Sequence, residues 1–153
     1  MMQYIRQAEP SDASRLAEIE VFNYRLNFYP IFQSDSFYFQ ELTVENLMRK
    51  YLEDSDLLLC TYVYDDGVVK GLVRIHGEEV QKLYIEPVLQ GSGIGAKLLQ
   101  FAVEEKHCDH LWALNKNTRA IAFYQRHGFL LTDEKKTEEG TEEFLVKLVM
   151  QKS

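Results

Sequence analysis

No stretch of this sequence approaches the roughly 20 consecutive apolar residues that span a bilayer. Residues 1–12 mix charge and polarity where a secretory leader carries an apolar core. A cytoplasmic protein with no membrane partner is the expectation. Cysteine is scarce: Cys60 and Cys108 stand far apart without C-x-x-C spacing, so neither a disulfide framework nor a zinc site is indicated. The four histidines, His76, His107, His110 and His127, form no H-E-x-x-H pair, and no metal is expected. Positive charge is also short, with 17 Lys and Arg against 24 Asp and Glu, a net charge of -7. Nucleic-acid binding draws on clustered cations and is not expected; the sign suits an amine-bearing partner.

What is present is a globular composition, 46% hydrophobic and 27% charged over 153 residues, which fits one domain spanning 1–153. Gln3 to Arg6 reads as a strand, and Ser11 as the cap of a helix whose apolar residues Leu16, Ile19 and Phe22 recur at three-residue steps. From Phe22 to Phe39 run eight aromatics (Phe22, Tyr24, Phe28, Tyr29, Phe32, Phe37, Tyr38, Phe39) around Pro30, which argues against one regular helix and for partial burial. Thr43 starts a second helix to about Leu52.

Asp56 to Tyr64 and Val68 to Ile75 read as strands joined at the Asp66-Gly67 turn, and Glu79 to Ile85 as a third strand ended by Pro87. Ile94, Leu98, Phe101 and Ala102 mark a helix reaching about Lys106. Leu111 to Leu114 is a short buried strand, and Asn117 caps a helix over Thr118 to Arg126 that His127-Gly128 closes. Phe129 to Leu131 begins another strand, Thr132 to Gly140 reads as a solvated hairpin loop, and Glu143 to Met150 alternates like a half-buried strand.

Between the third strand and the helix lies Gln90-Gly91-Ser92-Gly93-Ile94-Gly95. A glycine loop at a helix start turns several backbone N–H groups into one concavity at the positive helix end, and glycine lets phosphate oxygens approach closely. The same residues also suit a flexible loop with tight helix packing at Gly95 and Ala96. Gly91, Gly93 and Ala96 match the dinucleotide pattern G-x-G-x-x-G/A, but Glu86 to Gln90 separate them from the strand, and Asp109 precedes its strand rather than ending it. No Gly-Lys-Ser/Thr follows, so a P-loop is excluded.

Gln90 to Gly95 resembles the Q/R-x-x-G-x-G/A signature of the GNAT superfamily of acetyl-CoA-dependent N-acetyltransferases. The block Asn117-Thr118-Arg119-Ala120-Ile121-Ala122-Phe123-Tyr124-Gln125-Arg126-His127-Gly128-Phe129 resembles the same family's N-x-x-A-x-x-F-Y-x-x-x-G-F. The resemblance implies an α+β fold with a mixed, mostly antiparallel central sheet flanked by helices. It implies acetyl-CoA as acetyl donor, lying in a V between the strands at 80–85 and 111–114 and contacted by Leu83, Tyr84, Ile85, Asn117 and Tyr124. Its pyrophosphate would meet Gln90, Gly91, Ser92, Gly93, Ile94 and Gly95, with Lys97 just beyond. Residues 22–52 fall in the family's variable, substrate-facing region.

Amine acetylation takes a neutral amine, stabilisation of an oxyanion and a proton for the departing thiolate. The resemblance makes Tyr124 the acid. It makes Glu79 the candidate base, with a water chain as the alternative, because one branch of the family, the histone-acetylating one, carries a glutamate eleven positions before the first signature residue. Strand alternation is expected to put Glu79 on the side of Gln81, Leu83 and Ile85, opposite Glu78. The acceptor is an amine that the sequence does not name, bordered by Phe22 to Phe39, with Tyr29 and Tyr38 as contacts. That aromatic segment also suits a homodimer contact. The competing readings are a non-catalytic acyl-CoA-binding or regulatory module and an interaction protein built on the aromatic segment.

Overall fold

The computed structural model describes residues 2–151. Its strands are β1 (Ile5–Gln7), β2 (Thr61–Asp65), β3 (Val69–His76), β4 (Glu79–Ile85), β5 (His110–Leu114), β6 (Phe129–Thr137) and β7 (Phe144–Met150). They form one seven-stranded sheet in the order β1-β2-β3-β4-β5-β7-β6. Every neighbouring pair is antiparallel except β4 and β5. That parallel pair is joined only at Glu79–His110 and Val80–Leu111, so the two strands part beyond Val80 and a wedge opens in the middle of the sheet. The helices are α1 (Ala13–Asn27), α2 (Tyr29–Phe32), α3 (Val44–Glu53), α4 (Ser55–Leu59), α5 (Ile94–Glu104) and α6 (Thr118–Arg126). This is the mixed, mostly antiparallel sheet flanked by helices that the sequence led us to expect. No helix among the described residues is long and apolar enough to cross a membrane.

Two cores sit on opposite faces of the sheet. Leu98, Phe101 and Ala102 of α5, all fully buried, meet Val73, Val80, Leu111 and Leu148 on one face, with Ile121 and Tyr124 of α6 packed alongside. Leu16 and Ile19 of α1 and Tyr51 of α3 meet Val63 and Leu72 on the other. Burying each such side chain contributes about 1.5–3 kcal/mol, which is why the apolar stripes of the helices choose these orientations. Thr43 caps α3 by accepting from the Asn46 amide, and Asn117 caps α6 by accepting from the Ala120 amide at 3.3 Å, both as expected.

Four local expectations are corrected. Ser11 does not cap α1: the helix grows out of a 3-10 turn at Pro10–Asp12, and it is the Asp12 carboxylate that accepts from the Glu9 amide and from Arg6. Phe22 is exposed, and the buried positions of that helical turn are Glu20, Val21 and Asn23. Residues 55–59 are helical, because the Asp54 side chain accepts from the Asp56 amide and starts α4 where a strand was expected. Thr132 to Thr137 is strand, a polar edge held by β7 with a register shift between Leu131 and Lys135.

The aromatic stretch is broken as Pro30 requires. After α1 come the single turn α2, a left-handed Gln33 (φ 55°) and a π-helical turn at Phe37–Glu41. Tyr38 is buried there against Tyr24, Phe28, Tyr29 and Phe32, while Phe37 and Phe39 stay exposed.

Candidate active site

The wedge between β4 and β5 opens into a cleft of about 1070 Å³. Its walls are β4, the glycine loop, the start and outer face of α6, and the aromatic end of α1 with the π-helical turn. Gln90, Gly91, Gly93 and Gly95 line it together with Leu83, Tyr84, Ile85, Asn117, Tyr124 and Glu79. One cavity therefore gathers most of the residues singled out in the sequence.

Beyond Val80 the β4 edge has no strand beside it. The Glu86 amide donates to the Lys70 carbonyl at 2.9 Å, so the pleat turns the backbone polar groups of Tyr84 toward β3 and those of Leu83 and Ile85 toward the wedge. Tyr84 thus reaches the cleft with its side chain and not with its backbone. That side chain stacks edge-on against Tyr24 at 5.5 Å between ring centroids. Burial, with Tyr24 and Glu20 beside it, holds the Tyr84 phenol well above its ordinary pKa.

A bulge reverses one expectation. Arg74 pairs with Lys82 and Ile75 with Val80, which leaves Gln81 as an extra, unpaired residue in β4. Val80 consequently shares the α5 face with Leu83 and Ile85. Glu79, next to Val80 and paired with His76, is turned to the α1 face, the side of Lys82 and Tyr84. The simple alternation that grouped Glu79 with Leu83 and Ile85 fails because the count of residues between them is off by one.

The glycine loop is an open cradle. Gly91 (φ 87°) and Gly93 (φ 89°) adopt the left-handed region, and a Cβ built on either meets no atom within 4 Å. Gly93 heads α5 without a side-chain cap, and the first helical bond runs from the Lys97 amide to the Gly93 carbonyl, so the amides of Ile94, Gly95 and Ala96 have no partner within the helix. Gly95 also serves packing, since its Cβ would come within 3.4 Å of Phe123. Ser92 is turned back into the loop: its hydroxyl donates to the Leu89 carbonyl at 2.6 Å, and it does not line the cleft. Ile94 buries its side chain in the core and, like Ser92, does not line the cleft. Lys97 is directed elsewhere, with its ammonium over the Tyr64 ring at 5.7 Å.

Tyr124 lies on the cleft side of α6 against Phe123 and Phe129, and burial raises its phenol above the ordinary value, so it holds its proton. On the opposite wall, Tyr38, Phe28, Phe32 and Phe37 line the cleft, whereas Tyr29 does not and donates to Asp35 at 2.5 Å.

Several cleft residues escaped sequence reasoning. Asn23, nearly fully buried, donates from Nδ2 to the Ile19 and Ile85 carbonyls at 2.8 and 2.9 Å and accepts from Gln90 at 3.2 Å, tying α1 to both the β4 edge and the loop. Lys82 donates to the Tyr24 hydroxyl, with Glu20 4.0 Å away. Arg119 and Arg126 line the cleft from one face of α6, and their spacing of two helical turns was the available signal. Trp112 of β5 lines it too, with the Lys136 ammonium 4.2 Å from its ring centroid.

Residues 58–130 match the family model described as an acetyltransferase (GNAT) domain. A peptidyl-lysine N-acetyltransferase, YjaB, of Salmonella typhimurium is 29% identical over 89 residues, 58% of this chain and 60% of that protein's length. The apo solution structure of YjaB from Escherichia coli superimposes with a TM-score of 0.77 at 20% identity over 97% of both chains. The PaiA N-acetyltransferase of Thermoplasma acidophilum, solved with coenzyme A, superimposes with a TM-score of 0.66 at 21% identity over 96% of this chain and 98% of its own. The glycine signature and the Asn117–Phe129 block both fall inside the residues that match the GNAT acetyltransferase domain, and both face the wedge of a sheet whose fold these solved structures share along nearly the whole chain.

Proposed function

We propose that the protein is an N-acetyltransferase that moves an acetyl group from acetyl-CoA to a primary amine by direct attack within a ternary complex. The observation that carries this reading is the coincidence, in one cleft, of an open amide cradle, a β4 edge with no strand beside it beyond Val80 and a half-buried, protonated tyrosine. The cradle suits acetyl-CoA because Gly91 and Gly93 leave free the space a Cβ would fill. When bound, acetyl-CoA supplies an acetyl group activated as a thioester.

In this reading the amides at the head of α5 bind the pyrophosphate, where the helix end favours negative charge. The backbone of Leu83 and Ile85 orients the pantetheine arm as an added strand would. Asn117 borders the same channel while capping α6. Tyr124 keeps its proton on Oη, because burial disfavours the phenolate, and delivers it to the sulfur as the C–S bond breaks. Glu79, on the acceptor face of β4, takes a proton from the incoming ammonium so that the nitrogen attacks with a free lone pair. The names of the YjaB relatives support a primary amine as the acceptor class.

The test is thiol release from acetyl-CoA across a panel of primary amines, with Tyr124→Phe beside wild type. Tyr124→Phe is expected to lower kcat by roughly 10- to 10⁴-fold with acetyl-CoA binding nearly intact. An acid group is lost as pH rises through its pKa. Since the Tyr124 phenol is raised above the ordinary value of about 10, kcat should show no alkaline loss from it below roughly pH 10. Wild-type turnover in Tyr124→Phe would remove the tyrosine from the mechanism.

A further inference from the structure

Behind the α1 wall of the cleft lies a buried charge cluster that the proposed chemistry leaves unused. Glu20, 1% exposed, accepts on Oε1 from Arg74 at 2.6 Å and from the Tyr51 hydroxyl at 2.5 Å. Arg74 is itself 4% exposed and also donates to Thr61 at 3.0 Å. Burial, chiefly, raises the Tyr51 phenol, so it stays neutral and Glu20 with Arg74 forms a closed ion pair.

Lys82 stands next to this pair on the cleft side. Its ammonium has three N–H donors, and among the described residues the one group it bonds is the hydroxyl of Tyr24. Among the described residues no carboxylate oxygen lies closer to Nζ than the 4.0 Å of Glu20 Oε2, whose charge Arg74 already matches. Glu79, on the same face, makes no ion pair with it within that distance. Two cations therefore face one carboxylate, and the surplus positive charge is the one that opens to the cleft. A partly buried ammonium in that position gains most from an anionic oxygen, since a charge-assisted hydrogen bond is roughly twice as strong as a neutral one. Around it the walls are aromatic: the Tyr24 ring lies 5.0 Å from the ammonium and packs against Phe28 and Tyr84, all three lining the cleft.

We propose that Lys82, steadied by Tyr24, is the subsite for a carboxylate of the acceptor, and that the preferred acceptor is a small amine carrying a free carboxylate and an apolar or aromatic body. This rests on the transferase reading and narrows it. The zwitterionic acceptor also reconciles the acidity of the whole chain with a local cation at the site.

The test is calorimetry with a pair of acetylated products that differ only in charge, N-acetylphenylalanine and N-acetylphenylalaninamide. Wild type is expected to bind the carboxylate at least about tenfold more tightly than the amide. Lys82→Met, which keeps the apolar stem, should erase the difference, and Lys82→Arg should keep most of it. If Lys82→Met proves unfolded by thermal melting, Lys82→Gln carries the comparison. Equal affinities in wild type, as a peptidyl-lysine acceptor would give, overturn the proposal, as does a preference that survives in Lys82→Met or no binding of either compound. A parallel acetyl-CoA titration separates the two readings: its failure sinks the transferase while a carboxylate preference lost in Lys82→Met still supports the subsite.

Discussion

Gly93→Glu separates the fold from the cofactor site. In the folded protein Gly93 has φ 89°, a conformation that costs a residue with a Cβ about 1–2 kcal/mol. A Cβ at this position meets no heavy atom within 4 Å, so it adds no clash of its own. For a domain of this length each kcal/mol moves Tm by about 2–4 °C, which puts the expected fall at roughly 2–8 °C. Binding should suffer far more. The carboxylate would occupy the cradle and bring negative charge to the amides of Ile94, Gly95 and Ala96. Loss of two charge-assisted hydrogen bonds already amounts to about 100-fold or more in affinity.

Gly67→Glu is the matched control: Gly67 also has positive φ (121°) with open space, but it lies in the β2–β3 hairpin away from the cleft. It should lower Tm comparably and leave acetyl-CoA affinity unchanged by calorimetry. Unaltered affinity in folded Gly93→Glu, or an equal loss in Gly67→Glu, would refute the assignment of the cradle.

Two further outcomes follow from the cleft. Glu79→Gln should lower kcat/KM by about 10²-fold and remove an acidic limb from its pH profile, while Glu78→Gln changes little; superimposable profiles for wild type and Glu79→Gln would leave water as the proton acceptor. Asn23→Leu strands the Ile85 carbonyl and the Gln90 amide, so denaturant unfolding should show a loss of about 1–3 kcal/mol together with a raised acetyl-CoA KM, and a purely structural Asn23 would move only the first.

What could be read from the sequence was local. The bounds of β4, the Asp66-Gly67 hairpin and the Asn117 cap follow from residues within a few positions of one another, and the structure has all three. Misreadings arose where a distant partner decides. The polar run from Thr132 looks like a loop until β7 supplies its hydrogen bonds, and the bulge at Gln81 exists only as a register against β3. Asn23 and Lys82 gave no signal because a lone polar residue in a helix or strand reads as solvated, and its burial depends on what packs over it. Residues 55–59 were misjudged for a nearer reason: their leucines suit a strand, and the Asp54 cap was overlooked.

The position of Trp112 gives the protein an optical property. It is the single tryptophan of the chain, among 9 tyrosines and 9 phenylalanines that do not absorb at the red edge of the indole band, and it stands in the wall of the cleft with Lys136 against its ring. Emission excited there comes from one address. Anything that enters the cleft and changes the wetting of the indole, or draws Lys136 away from it, alters that signal, so the molecule reports the filling of its own cavity without a dye, a tag or a substituted residue.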